Sequence, residues 1–102
     1  MNFSISPSDY PIIIKNTKSL NIRDLSFKYC DWGVPVLGLI VSKKYGNAVK
    51  RNLFKRRCRE LFKKNFINHK ICLAIIIRPN KNNINYNELN DAFNALLLQK
   101  ND

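Results

Sequence analysis

Acidic residues are scarce in this chain. Seven Asp and Glu stand against 18 Lys and Arg among 102 residues, a formal net charge of +11. Self-repulsion at that charge is costly in a compact state, so the imbalance points to a polyanionic partner. Histidine occurs once, as His69, and Asp9, Asp24, Asp31, Glu60, Glu88, Asp91 and Asp102 are scattered along the sequence. A self-sufficient metal-dependent nuclease needs such groups clustered. No catalytic residue and no protein metal site is expected, and His69 reads as a solvated turn residue. No nucleophile–base pair or nucleotide-binding glycine motif stands out. Cysteine is limited to Cys30, Cys58 and Cys72, without a C-x-x-C pair. An odd count argues against a disulfide framework or a zinc site. The three read as small apolar fillers in a reducing compartment. No apolar run approaches the ~18 residues of a membrane span. Met1 to Tyr10 lacks the basic-then-apolar form of a signal peptide. The expected location is therefore cytoplasmic, with no membrane partner.

What is present suits one folded unit. There are no repeats, low-complexity tracts or linkers, and the length predicts a single domain over residues 1–102. Hydrophobic residues make up 45%, too many for disorder. Ser8 to Asn16 predicts a short helix, with Ser8 as cap, Asp9 in the first turn and Pro11 at the third helical position. An extended segment around Pro11 is the alternative there. Leu25, Phe27 and Tyr29 alternate with polar residues as a half-buried strand does. Asp31 to Pro35 reads as a turn and Val36 to Ser42 as a second strand, and two strands so close are expected to pair as an antiparallel hairpin. Ala48 to Asn65 predicts the longest helix, with Phe54, Cys58, Leu61 and Phe62 on one stripe. Asn68-His69-Lys70 is a turn. Ile71 to Ile77 is almost wholly apolar, as a central buried strand is, and Arg78-Pro79-Asn80 ends it. Asn85 and Glu88 form a capping box for a last helix reaching about Gln99, with Leu89, Ala92, Phe93, Leu96 and Leu97 inward. The order α-β-β-α-β-α, give or take a short strand, predicts an α+β two-layer α/β sandwich. The helices cover one face, and the other face, or a cleft beside the long helix, stays free for a ligand.

The strongest signal runs from Ser42 to Glu60, which holds eight Lys or Arg in 19 positions and only one acid, Glu60. At about 100° per residue, Arg51, Lys55 and Arg59 form one row, with Asn52, Arg56 and Lys63 beside it, within an arc of about 140°. The apolar stripe takes a different arc. A solvated charged face would interleave both signs, and this one does not. The chemistry of such a rail is phosphate binding. Each neutralised phosphate releases counterions, and Arg adds bidentate hydrogen bonds and stacking. Gly46-Asn47 leaves free backbone N–H groups at the helix start, a second place for phosphate. Asn52, set among cations, suits a base edge, a 2′-hydroxyl or a metal-bound water.

Ser42-Lys43-Lys44, then Gly46-Asn47-Ala48-Val49, Arg51-Asn52, Lys55-Arg56 and Arg59-Glu60, resembles the signature of the bacterial ribonuclease P protein subunit. The likeness extends more weakly over nearly the whole chain. Asp9-Tyr10 with Ile14 looks like the family's Asp-Phe-x-x-x-Phe first helix, and Arg23 to Phe27 like its first strand. Ile75 to Pro79 followed by Tyr86 is similar to its last strand and the start of its last helix. The resemblance implies a left-handed β-α-β crossover around the long helix, in a ribosomal protein S5 domain 2-like fold. It implies a protein that binds a catalytic RNA, the two together removing the 5′ leader of precursor tRNA. The RNA and its Mg²⁺ ions do the hydrolysis, the protein alone is inactive, and no protein partner is required. It implies Ser42, Lys43, Lys44, Asn47, Lys50, Arg51, Asn52, Lys55, Arg56, Arg59 and Lys63 as RNA-binding residues. It places the leader in a cleft between sheet and first helix, with Tyr10, Ile14 and Lys28. The chain departs from the family in four places. Ile14 offers no ring, and Lys28 brings charge near a position that is often aromatic. Leu53 stands where a third basic residue is usual, and the residues before Asp9 lack the usual basic lead-in.

Two other readings share the basic helix. A structural RNA-binding protein, such as a ribosomal protein or RNA chaperone, would carry the rail without the S-K-K-x-G-N-A-V-x-R-N string. A DNA-binding helix module predicts base readers at a helix N-terminus and commonly a dimer. Its usual second short helix is missing here, and the pattern is rich in strands.

Overall fold

The computed structural model describes residues 3–101. The elements run α1 (Tyr10–Asn16), β1 (Lys18–Ile22), β2 (Leu25–Asp31), β3 (Val36–Leu39), a 3-10 turn (Lys43–Tyr45), α2 (Ala48–Phe62), a π turn (Lys63–Ile67), β4 (Leu73–Pro79) and α3 (Tyr86–Asn101). The short extra strand that the expected order left room for is β1. The hairpin forms between β1 and β2, in register Ile22↔Leu25 and Lys18↔Tyr29. Its tight turn is Arg23-Asp24, with Arg23 at φ 52, the positive φ that a two-residue hairpin loop demands.

The expected pairing of Leu25–Cys30 with Val36–Ser42 does not occur. The sheet order is β1-β2-β4-β3, with β4 antiparallel to β2 and parallel to β3. The cause lies in β4, whose residues Leu73 to Ile77 are all buried. A strand apolar on both faces belongs between two neighbours and under cover on both sides. Trp32 to Pro35 therefore crosses two strand spacings, about 10 Å, instead of turning back. The second strand also stops at Leu39, short of Ser42, while β4 continues through Pro79.

The strand alternation splits the core in two. On one face Leu25, Phe27, Leu37, Leu73, Ile75 and Ile77 meet α2 and α3. A chain of rings runs through this layer: Phe3 to Phe62 at 5.3 Å, Phe62 to Phe66 at 5.2 Å, Phe66 to Phe93 at 6.1 Å and Phe93 to Phe27 at 6.0 Å. On the other face Ile13 of α1 packs on Ala74 and Ile76, with Tyr10, Ile14, Cys30, Trp32 and Val36 around it. That face is thus partly covered, and only the part beyond α1 is open.

The helix ends follow their capping chemistry. Pro11 is tolerated because it sits in the first turn of α1. The cap is Asp9, not Ser8, and the hydroxyl of Ser6 accepts from the Asp9 N–H at 3.2 Å. Asn85 Oδ1 accepts from the Glu88 N–H at 2.8 Å, as the capping-box spacing requires. α2 ends at Phe62, where the π turn begins, instead of running on to Asn65.

Candidate nucleic-acid interface

Gly46 sets the start of α2. Its φ of 154 lies where only glycine is comfortable. A Cβ there would also stand 2.9 Å from Lys50 Cδ. Asn47 then caps the helix, its Oδ1 accepting from the Lys50 N–H at 3.0 Å. This trims the expected phosphate site at Gly46-Asn47. The Gly46 N–H is bound to the Lys43 carbonyl and the Lys50 N–H to Asn47. Ala48 and Val49 keep the first-turn N–H groups that no helical carbonyl reaches.

The rail forms as the helical spacing predicts. Phe54, Cys58, Leu61 and Phe62 are buried, and Asn52, Arg56, Arg59 and Lys63 are exposed. Arg51 and Lys55 are half-buried at the margin. The Arg51 guanidinium donates to the Gly46 carbonyl at 2.9 Å, so this cation both faces outward and braces the helix start. Among the described residues, the ion pairs join Arg23 to Asp91, and Lys81 to Asp24 and Glu88. None involves a cation of α2, whose single acid, Glu60, forms no ion pair with the rail.

The rail reaches the edge of the sheet. Here the segment at Phe3–Ile5 lies along β3, with Ser4 bridged to Leu37 in parallel and the Ile5 N–H bonded to the Leu37 carbonyl at 3.2 Å. A groove of about 250 Å³ opens there, and Tyr10, Lys55 and Arg59 all line it. The structure thus unites an aromatic residue of α1 with two cations of α2. Gly38 makes the close approach possible, since a Cβ on it would stand 3.1 Å from Ile5 Cδ1 and 3.6 Å from Tyr10 Cε2. Lys28 is exposed on the same sheet face as Gly38, beyond Ile76, through the register Lys28↔Ile76↔Gly38. Ile14 packs into the small core with Cys30 and Val36, as Tyr10 does, but unlike Tyr10 it does not line the groove.

Ser42 and Lys44 lie in a second hollow of about 190 Å³ with Ile40, Arg78, Lys81 and Asn82. Lys43 is exposed on the 3-10 turn outside it. Two of these residues escaped sequence reasoning. Arg78 read only as a strand end, yet it continues β4 and shares the open face with Lys28. Tyr45 carried no role, yet it is buried, packs its ring at a tilt against Phe54 at 5.1 Å and accepts the Ile84 N–H at 3.2 Å. It anchors the Ser42–Gly46 segment to α2 and to the approach to α3. The Asn82 amide, in the orientation that satisfies both its ends, donates to the Lys44 carbonyl at 2.8 Å. Lys81 is held by Glu88 and Asp24 at 3.0 and 3.3 Å, and these hydrogen bonds raise its pKa.

The cysteines divide. Cys58 is buried in the core, where desolvation pushes its thiol pKa well up. Cys30 is half-buried, its pKa raised by burial and by Asp31. Cys72 is exposed and fills nothing, and its carbonyl accepts the Trp32 N–H at 3.2 Å. His69 is exposed in the turn after the π segment. Asp102 lies outside the described residues, as do Met1 and Asn2.

The comparisons agree with this geometry. The family model described as Ribonuclease P matches residues 5–101. The ribonuclease P protein component of Acholeplasma laidlawii is 38% identical over 98 residues, covering 92% of this chain and 84% of its own. That of Finegoldia magna is 36% identical over 87 residues, covering 82% and 77%. The solved Staphylococcus aureus RNase P protein superposes with a TM-score of 0.79 at 28% identity, over 98% of this chain and 96% of that one. The Thermotoga maritima RNase P protein gives 0.76 at 25% identity, over 94% and 96%. With Arg51, Asn52, Lys55, Arg56 and Arg59 of its motif gathered along α2 and a family match over residues 5–101, the chain belongs to the ribonuclease P protein family.

Proposed function

We propose that this chain is the protein subunit of ribonuclease P, binding the catalytic RNA through α2 and the 5′ leader of precursor tRNA through the groove beside it. The observation that carries this is the continuity of the two surfaces. Lys55 and Arg59 belong to the rail and also line the groove that holds Tyr10. A single strand leaving the catalytic RNA's surface would meet cations for its phosphates and a ring for a base. Arg51, Asn52, Arg56 and Lys63 face the RNA, with Lys50 and the first turn after Asn47. Ser42, Lys43 and Lys44 extend the contact past the end of β3. Lys28 lies on the open sheet face and attracts the leader by charge.

The chemistry is assigned to the RNA. The described residues gather no group of three His, Cys, Asp or Glu able to hold a metal ion. No hydrolytic step is routed through the protein's side chains. The protein's part is positioning and charge neutralisation, which lower the Mg²⁺ needed to hold two polyanions together. We place this ribonucleoprotein in the cytoplasm, needing no further protein. No helix among the described residues is long and apolar enough to cross a membrane.

Tyr10 offers the direct test of the leader contact. Stacking of a base on an aromatic ring is worth roughly 1–3 kcal/mol. Tyr10→Ala in the holoenzyme is expected to weaken precursor tRNA binding about 5- to 150-fold and to leave mature tRNA nearly unchanged. Tyr10→Phe, which keeps the ring, should bind as the parent does. Equal losses for precursor and mature tRNA would rule out a leader contact at this ring.

A further inference from the structure

The crest of α2 carries an apolar pair that phosphate binding does not use. Val49 is 76% exposed in the first turn of the most basic helix. Leu53 stands one turn on, half-buried, four residues along the same ridge. Leu53 borders two hollows. One, of about 650 Å³, is shared with Val49, Asn52, Arg56 and Arg59. The other, of about 210 Å³, lies between Lys50, Arg57 and the Asn83–Asn85 approach to α3, over Tyr45 and Phe54. Cations therefore flank the apolar ridge on both sides.

A phosphate gains nothing from Val49 or Leu53. A nucleobase does, because it has an apolar face and a phosphodiester to either side. Bases inside an RNA helix hide their faces in the stack, whereas unpaired ones in loops and bulges are splayed out. Extruded bases are held against aromatic or apolar side chains. A second copy of this chain is the poorer fit, since it would set Arg56, Arg59, Lys50 and Arg57 against their own like charges.

We propose that Val49 and Leu53 seat one unpaired nucleobase of the catalytic RNA, its adjoining phosphates held by Arg56 and Arg59 on one side and Lys50 and Arg57 on the other. The inference rests on the reading of α2 as the RNA-binding helix. It adds a contact that salt does not screen.

Affinity for a bacterial ribonuclease P RNA, measured across a range of salt concentrations, separates the two ideas. The proteins compared are the parent, Val49→Ser, Leu53→Ala, Leu53→Met and Arg56→Ala, each checked for thermal unfolding. Val49→Ser and Leu53→Ala are each expected to lose about three- to tenfold in affinity at every salt concentration, as loss of a partly buried apolar contact does. Their salt slope stays that of the parent, and Leu53→Met binds as the parent. Arg56→Ala lowers the slope by about 0.7–0.9. If Arg56→Ala acts while Val49→Ser and Leu53→Ala bind normally, the ridge is overturned and the helix assignment stands. If Arg56→Ala changes nothing, the helix assignment fails and the ridge with it. A slope reduced in Leu53→Ala as in Arg56→Ala overturns the ridge too, as does a parent dimer that Val49→Ser dissociates. Val49 is exposed enough that its substitution leaves the fold alone, so the test survives an unfolded Leu53→Ala.

Discussion

Exchanging Arg51 and Arg56 together for Ala is expected to weaken binding to the catalytic RNA ~100-fold, about tenfold per charge-assisted phosphate contact. The same pair should flatten the plot of log affinity against log salt by roughly 1.4 to 1.8 units, the share of two phosphates. Filter binding across a salt series reads both quantities at once. The two residues are not equivalent. Arg56 is exposed, whereas Arg51 also donates to the Gly46 carbonyl at 2.9 Å. Arg51→Lys keeps the charge but not the planar fork. It should therefore restore the salt slope and only part of the affinity. An unchanged slope in the double variant would show that α2 does not contact phosphate.

Phe66→Ala carries the largest expected cost to the fold. Phe66 is fully buried in the π turn after α2 and meets Phe62 at 5.2 Å and Phe93 at 6.1 Å. It is one of the residues through which α2 and α3 share one core. Deleting a buried phenyl ring costs about 3–5 kcal/mol, the lost transfer energy plus the cavity left behind. Small domains hold only about 5–15 kcal/mol in total. Urea unfolding should therefore show a midpoint lowered by a large fraction of its value, at unchanged m. Phe3 is only half-buried where it meets Phe62 at 5.3 Å, so Phe3→Ala should cost less. A loss under about 1 kcal/mol for Phe66→Ala would mean that the two helices do not depend on this ring.

Much of the site was legible because helical periodicity is strong. A fifteen-residue helix shows which of its residues are buried and which are charged, and the rail lies where the 3.6-residue period puts it. β4 was legible for the same kind of reason, since five consecutive apolar residues have only one comfortable place in a sheet. The sheet order was not legible. It depends on what lies across each strand, and two strands near in sequence look like a hairpin until the apolar strand between them is given its place. β1 was hidden because it is a short, largely exposed edge strand, and Arg23-Asp24 lacks the glycine that marks most hairpin turns. Arg78 was hidden because Pro79 beside it reads as a terminator, although at this position the strand carries on. Tyr45 was hidden within a basic motif, while its burial involves Phe54 on the following helix and Ile84, 39 residues away. The meeting of Tyr10 with Lys55 and Arg59 is purely tertiary. It needs α1 and α2 on opposite faces of the sheet and the Phe3–Ile5 segment along its edge.

The central claim is that the protein enables an RNA to remove a leader. Its most direct test is cleavage of a 5′-extended precursor tRNA at low Mg²⁺, with this protein alone, a bacterial ribonuclease P RNA alone, and both together. Cleavage at the mature 5′ end in the combined reaction only is the predicted result. A folded, RNA-binding protein that brings no gain over the RNA alone would contradict the account and leave a structural RNA-binding protein in its place.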